Sequence, residues 1–123
     1  MPNLSYLSHD AIVAFWGPNL TLGLLASAPE PDGSQIVEPA AELGYERQPI
    51  TFSATKAAGI TSLTSNGPLA FGPALNDWVQ VNYFAVFDAQ ARMMVYGRLR
   101  TSRACEAGKG IIIPQDHIQI RLR

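Results

Sequence analysis

From Leu20 onwards, apolar and polar residues alternate in short runs. In "LTLGLLAS" the residues Leu20, Leu22, Leu24 and Ala26 fall on one face, as a half-buried strand requires. "ITFSAT" sets Ile50, Phe52 and Ala54 against Thr51, Ser53 and Thr55. "WVQVNYFAVFD" begins with Val79, Val81 and Tyr83 against Gln80 and Asn82, then becomes continuously apolar from Tyr83 to Phe87. A continuous run of that kind predicts burial on both faces. "MMVYGRLR" opposes Met93, Val95 and Leu99 to Met94, Tyr96, Arg98 and Arg100. "HIQIRL" points Ile118, Ile120 and Leu122 inward, with Gln119 and Arg121 outward. Shorter candidates are "GITSLT", "PLAFG" and "GIII". Gly and Pro punctuate nearly every gap, as turns demand.

The one credible helix is "SHDAIVAFWGP", inside an N-terminal segment of residues 1–18. Ser8 is the expected cap, Asp10 suits the positive end of the helix dipole, and Gly17-Pro18 is a stop. Leu4, Leu7, Ala11 and Ala14 follow helical spacing, and Ile12, Phe15 and Trp16 widen the stripe. Phe15 and Trp16 are expected to pack beneath the sheet; docking on a neighbouring subunit is the competing role. Residues 27–46 form a long acidic connection with Pro29, Pro31, Gly33, Pro39 and Gly44. Seven or eight short strands with one short helix predict an all-β fold, an antiparallel β-sandwich of jelly-roll-like type. No βα alternation and no repeat is visible, which argues against a nucleotide-binding α/β fold and against a shaft.

Composition narrows the picture. The 123 residues suit a single domain spanning 1–123. Charged residues make up only 15%, below the usual roughly one quarter, so some surface is expected to be buried against neighbours. The net charge of -1 hides an uneven layout. Glu30, Asp32, Glu38, Glu42 and Glu46 crowd the first half, whereas Arg92, Arg98, Arg100, Arg103, Lys109, Arg121 and Arg123 crowd the last third. Such a split can steer complementary surfaces together; an acidic loop beside a solvated strand face is the plainer reading. A lone Cys105 cannot form an internal disulfide, in keeping with synthesis in a reducing interior. The N-terminus lacks a signal-peptide pattern, and no apolar run reaches the roughly 18 residues of a membrane helix. A soluble, unprocessed protein is expected.

Candidate chemistry is sparse. Cys105 with His9 or His117 shows no nucleophile motif, and these residues have no metal-ligand spacing. Asp77 and Asp88 flank the ends of one strand and read as turn residues rather than paired carboxylates. "GKG" at 108–110 lacks the rest of a phosphate loop. Tyr96 with Arg98 and Arg100 gives a faint stacking platform, yet a slightly acidic chain argues against nucleic acid. No catalytic residue, cofactor or metal is therefore expected.

"GYERQPITF" invites a closer look. Gly44 permits a tight turn, and Pro49, lacking an N–H, belongs at a strand entry or sheet edge. Tyr45 and Arg47 are two apart, on one face if the strand already runs there. Arg47 is expected to tie the acidic loop or its carbonyls to the sheet, with Tyr45 covering its stem. A subunit contact through the same pair is the alternative.

The order of these motifs resembles a family of small tailed-bacteriophage virion proteins often labelled tail-fibre proteins. Gly44, Tyr45, Arg47 and Gln48 match a Gly-Tyr-Ala-Arg-Gln stretch; Asn66 and Phe71 match an Asn before a Phe strand. Trp78 matches a Trp-Gly strand entrance, and Phe87, Asp88 and Ala89 match a Phe-Asp-Ala ending. Val79, "QARMM" and "AGKG" depart from the pattern, and all three affect local turn geometry. The resemblance implies a structural role in the virion, without active site or cofactor, alongside copies of itself and a major capsid or tail protein. A unit without shaft repeats suits capsid decoration or cementing, which is the expected role; a tail adaptor or tip is the alternative. A carbohydrate-binding sandwich is more remote, with Tyr96 as its one well-placed aromatic.

Overall fold

A computed structural model describes residues 2–123. Helix α1 (Tyr6–Trp16) precedes nine strands among the described residues: β1 (Thr21–Leu25), β2 (Gln48–Pro49), β3 (Phe52–Ala57), β4 (Ile60–Ser65), β5 (Leu69–Phe71), β6 (Trp78–Phe87), β7 (Met93–Cys105), β8 (Ile111–Ile113) and β9 (Gln119–Leu122). They form a first sheet ordered β2-β1-β6-β7, a second ordered β3-β4-β9 and a ribbon of β5 and β8. Every pairing is antiparallel. The architecture is all-β and sandwich-like.

The main core lies between the sheets. Leu22 and Leu24 of β1, with Val81, Phe84 and Val86 of β6, meet Leu63 of β4 and Ile118 and Ile120 of the last segment. Phe71, Ile111 and Ile113 of the ribbon close one side, and Trp16 of the helix closes another. The inward set of the final strand is as expected. The double burial expected from Tyr83 to Phe87 holds for Phe84 to Phe87, whereas Tyr83 is half-buried. Their outer side belongs to a second, smaller cluster in which Ile36 and Met93 pack on Leu25, Ala85 and Phe87. The long loop therefore roofs the outer face of the first sheet.

Four local expectations need correction. The helix is capped by Ser5, whose Oγ accepts from Ser8 N at 3.3 Å, not by Ser8; Asp10 then lies past the first turn and pairs with Lys56. Its buried side is His9, Ile12, Val13 and Trp16, while Leu4 and Leu7 are exposed. Apolar residues occur on both sides of this helix: Ile12, Val13 and Trp16 pack on the core, and the expected stripe of Leu4, Leu7, Ala11 and Ala14 lies outward. Ala54 is exposed because β3 is an edge strand with almost no cover. Val79 is 48% exposed, turned out by a register irregularity between Trp78 and Val81. Finally, the strand expected at "MMVYGRLR" does not stop there, since β7 runs on to Cys105.

Candidate functional site

Gly44 ends a 3-10 turn at Ala41–Leu43 with φ 87°. A Cβ there would lie 2.5 Å from Pro73 O, so glycine is required both by backbone angle and by space. The turn aims the next residue inward. Tyr45 is 6% exposed, stacked with Phe71 at 6.2 Å and edge-on to Trp78 at 5.6 Å. Trp78 Nε1 donates to Leu43 O at 2.9 Å, fastening the turn to the start of β6.

The phenol of Tyr45 reaches through to the roofing loop. Its oxygen accepts from Leu24 N at 2.9 Å and donates to Glu38 Oε2 at 2.5 Å. Burial, then the hydrogen bond to Glu38, raises the phenol above its ordinary range, so it stays a donor. Arg47 grips the same carboxylate through Nε at 3.1 Å and a terminal nitrogen at 2.7 Å. That fork-to-fork geometry is the strong form of an ion pair. The hydrogen bond to Glu38 raises the guanidinium further above its ordinary value, against the effect of burial. Phe87, not Tyr45, lies against Arg47: its ring centre is 3.5 Å from the guanidinium carbon. Gly23 completes the cluster. A Cβ on it would stand 2.9 Å from Glu38 Oε2 and 3.0 Å from Phe87.

Of the residues singled out from the sequence, Tyr45 and Arg47 come together on Glu38. Trp16 and Phe15 part company: Trp16 is 7% exposed within the core, whereas Phe15 is 67% exposed with Arg92 over its ring. Tyr96, Arg98 and Arg100 are exposed on β7, the free edge of the first sheet. Arg98 lies over Tyr83 at 5.6 Å. Beside them an open groove of about 310 Å³ runs between β7 and β9, with Gln119 and Arg121 on its far wall.

The groups weighed for chemistry hold structure. Asp88 is 4% exposed and shapes the β6–β7 turn by accepting from the backbone of Gln90 and Arg92 and from Arg92 Nε. Burial alone would raise its carboxyl; these donors outweigh it and hold the group below its ordinary value. Asp77 accepts from Ala107 N at 2.9 Å. Cys105 is buried, and burial with the nearby Asp77 and Glu106 carboxylates pushes its thiol up. His9 is fully buried, Nδ1 sharing a 2.8 Å hydrogen bond with Thr61 Oγ1. Among the described residues no His/Cys/Asp/Glu group is arranged to hold a metal, and no helix is long and apolar enough to cross a membrane.

Three members of the cluster escaped the sequence reading. Glu38 was one of five acidic residues, and nothing local distinguishes a carboxylate that pairs nine residues away. Gly23 did carry a signal, because a glycine inside a strand marks a close approach. The stacking of Phe87 under Arg47 depends on the β1–β6 register, which pairs Thr21 with Phe87.

The chain is thus a small β-sandwich with one docked helix and a loop latched by a part-buried Tyr–Glu–Arg cluster. A family model described as podophage GP4 fiber I protein gp80 matches residues 11–121. The chain belongs to this family of phage fibre proteins. No curated protein matches it.

Proposed function

We propose that the chain is a non-enzymatic subunit on the exterior of a tailed-phage virion, working as a tail-fibre component. The observation that carries this reading is the family match, which spans nearly the whole sandwich from within α1 to β9. The latch supports it: the residues most suggestive of a site hold a loop in place, and Asp77, Asp88 and Cys105 are spent on turns and packing. Its partners in this reading are copies of itself and a major virion protein of tail or capsid. No cofactor is called for.

Capsid decoration stays as the second reading, favoured by strands of two to thirteen residues folded into one sandwich-like unit. Purified virions labelled with gold-tagged antibody against the chain separate the two. Label at the tail is the expected result. Label spread over the head replaces fibre with decoration, and absence of the chain from virions overturns the structural role itself.

A further inference from the structure

The outer face of the first sheet is divided. Over β1 and β6 lies the roofing loop: Gly33 approaches Met93, Ile36 packs on the small cluster, and Glu38 is latched. The loop's exposed tip carries Glu30 and Asp32 in a turn closed by Gly33 N on Glu30 O. The register puts Tyr96 opposite Ala85 and Arg98 opposite Tyr83, so β7 presents these residues on the same face as the roof. That half is bare.

Among the described residues the charges of the two halves have no ion-pair partner. Four ion pairs occur among the described residues: Arg47–Glu38, Lys56–Asp10, Arg92–Asp88 and Lys109–Glu106. None involves Arg98, Arg100 or Arg121, and none involves Glu30, Asp32, Glu42 or Glu46. The latch fixes the acidic tip where it is, so it does not fold over β7 to neutralise the arginines.

We propose that this face pairs with the same face of a second copy around a two-fold axis, Arg98 of each copy meeting Glu30 and Asp32 of the other. The proposal rests on the reading of the chain as an assembling virion subunit and names the surface it uses. A face that carries both signs side by side is self-complementary, which is what an isologous contact needs, and each charge pairing then forms twice. Tyr96, 38% exposed, and the half-buried Tyr83 supply the flat aromatic area favoured at such contacts. A standard interface takes about 800 Å² per partner, roughly a ninth of the 7209 Å² surface of this chain. Arginine on a free edge also discourages strand addition; that role alone requires no acidic counterpart.

The test is sedimentation velocity of the full chain. At about 50 mM salt a dimer is expected, weakened roughly tenfold or more at about 500 mM as the pairings are screened. Arg98→Glu should give a monomer, and so should Glu30→Lys with Asp32→Lys. Mixing the two variants should restore a dimer containing one of each, because the reversed charges match again. Thermal melts equal to the parent's establish that these exposed substitutions leave the fold intact. A parent chain that is monomeric at low salt and about 100 µM overturns the proposal. So does a dimer that survives both reversals, or an open-ended polymer in place of a dimer. None of these outcomes touches the virion reading, which stands or falls on whether purified particles contain the chain.

Discussion

The two main sheets solve the same problem differently. In the second sheet β4 alternates buried and half-buried residues, and the edge strand β3 is exposed from Ser53 to Ala57. There β4 settles its own inside and outside. In the first sheet β1 and the end of β6 are buried on both faces, and the outer cover is a loop. That cover depends on one carboxylate, one guanidinium and one phenol. The second sheet is thus held mainly by its own pattern, the first by a tether as well. The tether is the more vulnerable element.

The largest effect is expected where the first sheet meets the main core. Trp78 is 5% exposed, braces Tyr45 and ties Leu43 through its indole N–H. Trp78→Ala should destabilise the fold by about 3–5 kcal/mol, a large part of the roughly 5–15 kcal/mol typical of a domain. Denaturant unfolding measures it. A loss below about 1 kcal/mol would mean that the Tyr45 turn holds without its brace.

Next comes the tether. Arg47→Ala removes two charge-assisted hydrogen bonds and leaves Glu38, 16% exposed at its side chain, with the phenol alone. A cost of about 1–3 kcal/mol is expected, together with faster proteolysis within residues 30–46. Arg47→Lys should rescue only partly, since an ammonium cannot match the carboxylate with two parallel donors. Unchanged stability and protection would show that the roof is held by Ile36 packing instead.

The contrast between the sheets also explains what the sequence made legible. Where a strand has one wet face, as in β9, alternation identified every inward residue. Phe84 to Phe87 was readable as doubly buried, yet the run does not say what covers it, nor that Tyr83 at its start stays half-buried. Helix α1 defeated pattern reading because apolar residues surround it and its buried side includes His9. The end of β7 was missed because Thr101, Ser102 and Arg103 have loop composition, although their ladder to β6 makes them strand; Arg103 pairs with Val81. Arg47 was found from its own neighbourhood. Its partner was not, because pairing across the loop is a property of the fold.

Acid should loosen the hairpin that joins the two halves of the first sheet. The Asp88 carboxyl is held below its ordinary value by the Gln90 and Arg92 donors. A folded value below the unfolded one means the contribution is complete above roughly pH 4, the ordinary carboxylate value. It is lost as pH falls through the folded value. Asp88→Asn should therefore flatten the acid limb of a stability–pH curve as well as lower the plateau. An unchanged acid limb would assign the pH dependence to other carboxylates.

The smallest effect is expected in the second sheet, at its own ion pair. Lys56 meets Asp10 at 2.8 Å, but the two side chains are 37% and 58% exposed. Water and salt screen such a pair, and two mobile side chains must be ordered to form it, so its worth is about 0.5 kcal/mol or less. Lys56→Ala should shift the melting temperature by at most about 3 °C. The helix keeps its seat because Trp16 lies in the core and His9 shares its hydrogen bond with Thr61. Exposure should decide which pair matters: Arg47 and Glu38 are 29% and 16% exposed, with Phe87 beneath the guanidinium. If Lys56→Ala costs as much as Arg47→Ala in parallel melts, burial does not separate the two pairs. The second sheet would then depend on a tether as much as the first does.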